Sequence, residues 1–343
     1  MDEVYMRRCF DLAKLAGRKV RKNPQVGSVI VCNGKIISEA YHEAYGQNHA
    51  ERNAILNLDH KDRHLLKHSS IYVSLEPCNI HGKTPPCLDL ILKYEIPRVV
   101  VSVEDPNPRV SGRSLDLLRR RGVEVISGVL QEEGRILINE FRAQLQKRPF
   151  IMLKYAQSRD NYIGKKGQSI WLSNQAVGIK THIWRSNIDA ILVGYNTAYL
   201  DNPSLTTRLV PGRSPLRVVI DRDLSLPRSH KLWQDEFRTL FICDTTTVDT
   251  ATTALKQVIQ LPFDEGLASN LCKLLYEMNI YRMMVEGGAK TLSSFIKAGL
   301  WDEARVIKTE KILGSGIAVP LIRKPAFKVE RFLNNQVCYY YND

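Results

Sequence analysis

The chain has 343 residues, 44% hydrophobic and 25% charged, the mix of an ordinary globular protein, which excludes a disordered or fibrous one. Because single cores stop growing near roughly 250–300 residues, this length predicts two domains. Lys and Arg number 49 against 36 Asp and Glu, a formal charge of +13 spread along the chain without a basic tail. Such a field attracts phosphate-bearing partners of any size, so it does not choose between metabolites and nucleic acid. The longest apolar runs, such as Ala190 to Val193, fall far short of the ~20 residues of a membrane span. The opening Met1-Asp2-Glu3 lacks the basic-then-apolar order of a secretory signal. Seven cysteines, an odd number in a long chain, argue against a disulfide framework. A cytoplasmic protein without membrane contact is the expectation.

Apolar spacing predicts a helix over residues 4–17, ending at Gly17, and a β-branched strand over 27–32. Asn33-Gly34 then signals a tight hairpin into Lys35-Ile36-Ile37. Helices are expected at 49–58, 87–94 and 115–121, strands at 70–75, 98–103 and 123–126, and a polar helix at 132–146. Lys147-Arg148-Pro149 breaks the pattern. Beyond it, strands are expected at 150–155, 190–193, 216–220, 239–242 and 282–285, with helices at 174–186 and 291–298. Strands alternating with helices indicate an α/β layer fold with a mostly parallel sheet in each half. The expected domains are residues 1–146 and 147–343.

Two groups of residues carry chemistry. His49-Ala50-Glu51 opens a helix, and Glu76-Pro77-Cys78 follows a strand, with Cys87 at the end of Gly82-Lys83-Thr84-Pro85-Pro86-Cys87. One His and two Cys supply three zinc ligands, and a catalytic zinc keeps its fourth position for water. Zinc lowers the pKa of that water toward about 7 for attack on an amine-bearing ring carbon. Glu51, two residues from the His, would shuttle the proton. Zinc base deaminases share this division of labour, but with two residues between their cysteines rather than eight. In the second half there is no G-x-G-x-x-G. Val285-Glu286-Gly287-Gly288-Ala289 ends a strand before a helix, as a phosphate site does, but by itself it is equally a tight turn. Asp201-Asn202-Pro203 alone is also a turn signal.

Taken together these residues resemble the bifunctional deaminase/reductase of riboflavin biosynthesis. The first half matches at Asn23-Pro24-Gln25-Val26-Gly27, Tyr41-His42, His49-Ala50-Glu51, Leu75-Glu76-Pro77-Cys78, His81 to Cys87 and Asp105-Pro106-Asn107-Pro108. The long spacing between the cysteines is that family's own. The second half matches at Leu153-Lys154, Ser158, Asp160, Trp171, Ser173, Arg185, Asp189 to Gly194, Asn196-Thr197, Asp201-Asn202-Pro203, Arg208, Val219-Ile220-Asp221, Val285 to Gly288 and Gly299 to Glu303.

The resemblance implies a cytidine-deaminase-like α/β/α domain followed by a dihydrofolate-reductase-like α/β domain. It implies deamination of a diaminopyrimidinone ribosyl phosphate, then NADPH reduction of the ribosyl unit to ribityl. Carried over by residue, it implies His49, Cys78 and Cys87 as zinc ligands and Glu51 as proton shuttle, with Asn23, His42, Lys83, Asp105 and Asn107 contacting substrate. In the reductase it implies Lys154, Asp201 and Glu286 around the reacting ribose, and Trp171, Ser173, Arg185 and Arg208 holding substrate. Ser158, Gly194, Thr197, Asp221, Gly287 and Gly288 would line NADPH. Trp171 by itself is equally a core residue, Lys83 a solvated loop lysine and His42 a core histidine. Departures are Ile80 where the family usually has His, Ser28 for a frequent Cys, and Arg159 and Asn161 within a usual Ser-Leu-Asp-Gly. The resemblance also implies phosphorylated small-molecule partners and a homo-oligomer. The rival, a zinc deaminase of nucleic-acid bases fused to a reductase-like domain, requires aromatic stacking platforms among basic residues, and Tyr41, Tyr45, Tyr72 and Tyr94 are scattered.

Overall fold

In the computed structural model, which describes residues 1–81, 85–244 and 253–342, the chain divides into two units, Met1–Gln146 and Lys147–Asp343. The first runs α1 (Asp2–Leu15), β1 (Gly27–Cys32), β2 (Lys35–Tyr41), α2 (Ala50–Leu56), a 3-10 segment (His60–His68), β3 (Ser69–Leu75), α3 (Cys87–Lys93), β4 (Arg98–Val103), α4 (Arg113–Arg120), β5 (Glu124–Ser127), α5 (Gln131–Leu137) and α6 (Asn139–Leu145). Among the described residues its sheet has the order β2-β1-β3-β4-β5. β1 runs antiparallel to both β2 and β3, while β3, β4 and β5 are parallel. The hairpin is the local cause of the antiparallel edge. Asn33 and Gly34 both take positive φ (50° and 74°), as the tight turn between twisted strands requires.

Side-chain alternation builds a core on each face of this sheet. Ile30, Ile71, Val73, Val99 and Val101 face a cluster with Ala50, Ala54, Leu88, Ile91, Leu115 and Leu118 of α2, α3 and α4. Val29, Val31, Tyr72 and Val100 face Tyr5, Met6, Cys9 and Phe10 of α1. Fully burying each such aliphatic side chain is worth about 1.5–3 kcal/mol, so both faces fix the strand register. The polar helix expected over 132–146 is instead two short helices meeting at Ile138, whose backbone leaves the helical region (φ −97°, ψ 6°). Ile138 turns its side chain into the core there, a contact that a continuous amphipathic pattern does not reveal.

The second unit runs β6 (Phe150–Gln157), β7 (Tyr162–Gly164), α7 (Gln175–Ser186), β8 (Ala190–Gly194), α8 (Tyr195–Asp201), β9 (Leu216–Ile220), α9 (Lys231–Gln234), β10 (Thr239–Cys243), β11 (Lys256–Gln260), α10 (Leu267–Glu277), β12 (Arg282–Gly287), α11 (Ala289–Lys297), β13 (Glu303–Thr309), β14 (Ile317–Ala318), β15 (Lys328–Phe332) and β16 (Asn335–Tyr341). Among the described residues its main sheet has the order β11-β10-β9-β8-β12-β6-β13-β16-β15. From β11 to β13 the strands are parallel, and β16 and β15 add antiparallel at the edge. The sequence pattern predicts no strand or helix beyond residue 298, yet β13 pairs with β6 and β16 pairs with β13, carrying the sheet outward. β12 lies between β8 and β6, aligning Val285 with Leu192 on one side and Leu153 on the other. That register brings the carboxyl ends of three distant segments together. No helix among the described residues is long and apolar enough to cross a membrane.

Candidate active sites

Three elements converge in the first unit. His49 precedes α2 with extended backbone, Cys78 follows β3 through Glu76-Pro77, and Cys87 is the first residue of α3 after Pro86. His49 Nδ1 lies 3.4 Å from Cys78 Sγ and 3.5 Å from Cys87 Sγ, and the three donor atoms all fall within 4.8 Å of one another. Metal bonds of roughly 2.0–2.3 Å at tetrahedral angles place N and S donors about 3.5 Å apart, so this soft donor set fits zinc. The Cys78 thiol is drawn well below its usual range by the hydrogen bond with Cys87 and then by that with His49, which favours the thiolate that a metal needs. Glu51, 3% exposed on the first turn of α2, is pushed up by burial to about 7, against the pull of His49.

Four of the expected substrate contacts form two hydrogen-bonded pairs, Asn23 with His42 and Asp105 with Asn107. His42 Nδ1 donates to the Asn48 carbonyl at 2.9 Å, leaving Nε2 to accept from Asn23 Nδ2 at 3.1 Å. Burial lowers the pKa of that ring, in keeping with one protonated nitrogen. The ring also meets His49 edge-on at 5.7 Å between centroids, so His42 is a buried histidine with both ring nitrogens satisfied, in contact with the donor cluster. Asp105 accepts from the Asn107 amide at 2.8 Å, and burial pushes its carboxyl up to about 6. Lys83 lies outside the described residues. Ile80 is 39% exposed and His81 is exposed beside it.

Sequence reasoning gave Glu76 no role. It is 3% exposed, and its carboxylate accepts three backbone N–H groups, from Asp105 (3.1 Å), Gly112 (2.8 Å) and Ser114 (3.0 Å). An acid interrupting the buried run before Pro77 is the signal that points to it, since a buried charge requires such partners.

In the second unit, strand order makes the site. Lys154 on β6 and Glu286 on β12 stand on neighbouring strands, with Lys154 Nζ 3.7 Å from Glu286 Oε2. Arg185 on α7, expected to hold substrate through its fork, instead spends that fork on Glu286: Nε donates to Oε1 at 2.9 Å and Nη2 to Oε2 at 2.8 Å. Its Nη1 reaches the Thr206 carbonyl. A carboxylate this buried needs strong hydrogen-bond donors, and the Arg185 guanidinium supplies a bidentate pair from α7. Arg185 and then Lys154 hold Glu286 down to about 2 against the effect of burial. Burial lowers Lys154, and Glu286 opposes that shift.

The remaining residues fall into separate positions. Asp201, at the exposed end of α8, accepts from Ser169 Oγ at 2.5 Å. Arg208 is exposed, and its backbone N–H is held by His182 Nδ1 at 2.9 Å, a buried histidine that sequence reasoning also passed over. Trp171 is 73% exposed, so it does no core packing. Ser173 lies half-buried just before α7.

Of the residues expected to line NADPH, Gly194, Thr197, Gly287 and Gly288 meet at the ends of β8 and β12. A Cβ on Gly194 would stand 2.5 Å from Thr291 Oγ1, and one on Gly287 3.0 Å from Thr197 Oγ1. Only glycine lets these turns approach so closely. Parallel sheets bind their ligands at the carboxyl ends of strands, so this cradle fits a phosphate-bearing cofactor. Asp221 does not belong to it in the expected way. It is 1% exposed, and its carboxylate accepts from the Ser225 and Leu226 amides, shaping the turn after β9 rather than offering a free acid. Ser158, 1% exposed, accepts from the Tyr162 amide in a turn where Asn161 keeps a positive φ of 64°. Asn tolerates that conformation better than most residues, so the departure from Gly leaves the turn intact.

Residues 1–103 match the model of the cytidine and deoxycytidylate deaminase zinc-binding region, and residues 149–340 match that of the RibD C-terminal domain. The riboflavin biosynthesis protein RibD of Aquifex aeolicus is 38% identical over 323 residues, 93% of this chain and 90% of the relative. That of Escherichia coli is 32% identical, with 92% and 89% covered. A solved diaminohydroxyphosphoribosylaminopyrimidine deaminase/5-amino-6-(5-phosphoribosylamino)uracil reductase from Thermotoga maritima, 35% identical, aligns over 100% of this chain and 99% of its own with a TM-score of 0.80. With both halves matched in order and relatives aligned along nearly their full length, the chain belongs to the RibD family of riboflavin biosynthesis proteins.

Proposed function

We propose that the His49, Cys78, Cys87 and Glu51 group is the deaminase centre, within a domain of residues 1–146, and that Lys154, Glu286 and Asp201 serve the reductase, within residues 147–343. The enzyme is bifunctional: a zinc-dependent deaminase and an NADPH-dependent reductase of riboflavin biosynthesis. It replaces the 2-amino group of 2,5-diamino-6-(5-phosphoribosylamino)pyrimidin-4(3H)-one by oxygen, then reduces the ribosyl group of the resulting uracil to ribityl. The observation that carries the deaminase reading is the buried Glu51 carboxyl on the first turn of α2, beside three converging zinc donors.

His49, Cys78 and Cys87 would hold the zinc, which when bound would lower the pKa of water for attack at neutral pH. Glu51, raised to about 7 by burial, is the group that moves one proton from water to the ring nitrogen and then the proton of the added hydroxyl to the amine, which leaves as ammonia. Asn23, His42, Asp105 and Asn107 orient the pyrimidine, and Lys83 is the cation for its phosphate. In the second unit, NADPH supplies the reducing electrons. Lys154 is the group for the proton that reduction consumes, its burial making it a better donor, while Arg185 fixes Glu286 opposite it. Trp171, Ser173 and Arg208 line the substrate side, and Ser158, Gly194, Thr197, Gly287 and Gly288 the cofactor side.

The net charge of +13 suits phosphorylated small molecules, and we assign no nucleic-acid partner and a cytoplasmic location. Ile179 and Ile183, each 41% exposed one turn apart on α7, favour a homo-oligomer, which light scattering tests. The decisive experiment is mass spectrometry of the product with and without NADPH. Amine-to-oxo exchange alone without NADPH, and two further hydrogens with it, is the expected result. An unchanged substrate in both conditions would refute the reading.

A further inference from the structure

The zinc ligand Cys78 and the substrate contacts Asp105 and Asn107 stand on the exits of neighbouring parallel strands, β3 and β4. Glu76 is the residue that joins those exits. Its own amide donates to the Val103 carbonyl at 2.9 Å, while its carboxylate receives the Asp105, Gly112 and Ser114 amides. The last two belong to the start of α4, where Gly112 holds a left-handed φ of 74°. One carboxylate thus anchors both ends of the loop over residues 105–114, and the α4 N-terminus gains a negative charge where the helix dipole favours one.

The loop side chains otherwise satisfy one another locally. Asp105 takes the Asn107 amide, and Asn107 Oδ1 takes the Arg109 amide at 3.1 Å. These contacts span two residues each and fold the loop tip without attaching it to the strand that leads to Cys78. From this geometry we infer that Glu76 is the positioning residue of the deaminase, setting the distance between the metal centre and the loop that grips the pyrimidine. The inference rests on the reading of Asp105 and Asn107 as substrate contacts.

Glu76→Gln keeps the volume but presents an NH2 to at least one of the three donors, turning an attraction into a donor–donor clash. The test uses the full-length zinc-loaded enzyme. In Glu76→Gln, the Asp105, Gly112 and Ser114 amides should exchange with solvent hydrogen at least 10-fold faster than in the parent. The deaminase KM should rise at least 10-fold with kcat within 3-fold, zinc content should stay at one per chain, and reduction of supplied deaminated intermediate should be unaltered. Gly112→Ala, which strains the same anchor from the other side, should raise KM in the same way with Glu76 untouched; it serves if the Gln variant fails to fold. Zinc loss in step with activity would overturn the inference, leaving Glu76 a support for Cys78 alone. A fall in kcat at constant KM would overturn it too. Asn107→Ala separates the two layers. If it raises KM while Glu76→Gln does not, Glu76 is not the positioning residue. If neither variant moves KM, the reading of the loop as a substrate contact fails.

Discussion

Replacing Arg185 by Met preserves much of the side chain's volume but strips Glu286 of its bidentate partner. The two side chains are only 11% and 7% exposed, so solvent cannot compensate, and removing one member of such a pair costs about 3–5 kcal/mol. For a domain of roughly 150–250 residues, each kcal/mol moves Tm by about 2–4 °C, so the second domain should melt about 6–20 °C earlier by calorimetry at pH 7. The loss has a pH signature. Glu286 is held down from an ordinary 4.5 to about 2, and a depressed carboxyl contributes stability that is present above its unfolded pKa and fades as pH falls through the folded one. Parent and variant should therefore converge between about pH 5 and pH 2. Lys154 also leans on Glu286 at 3.7 Å, so the variant that replaces all three charges by apolar groups, Arg185→Met/Glu286→Met/Lys154→Met, should lose less than the single variant. A single-variant loss under about 1 kcal/mol, or a triple variant worse than the single, would show that the cluster is not desolvated as argued.

Glu51→Gln should retain zinc by metal analysis and lose at least about 10²-fold in deamination, the usual share of general acid–base catalysis, while reduction of supplied intermediate continues; undiminished deamination would remove Glu51 from its role. Cys78→Ser should lower zinc content and abolish deamination, and chelation of the parent enzyme should do the same reversibly with the reductase active throughout. Gly194→Ala should destabilise the second domain by about 1–3 kcal/mol, because its Cβ would lie 2.5 Å from Thr291 Oγ1, and should weaken NADPH binding measured by fluorescence titration. Adding Thr291→Ala should restore stability, and failure to do so would locate the strain elsewhere.

Most local elements before residue 298, and the chemistry carried by residue type, were legible in the linear sequence. Asn33-Gly34 could only be a turn, the β-branched run from Gly27 to Cys32 only a strand, and one His with two Cys near a Glu only a narrow range of metal chemistry. These features are legible because their causes lie within a few residues: backbone conformation, side-chain periodicity and the softness of a donor atom. Partnership between distant side chains was decided by the tertiary structure. Arg185 and Glu286 are 101 positions apart, and nothing near either one says that strand order will bring them within 3 Å and divert the guanidinium from a ligand to a carboxylate. Asp221 reads as a residue lining NADPH until the turn after β9 closes on it. Glu76 reads as one more charge until three backbone amides converge on it. A buried charge takes whichever partner the packed chain places within reach, and that reach is set by the order and register of strands, which a linear pattern does not contain.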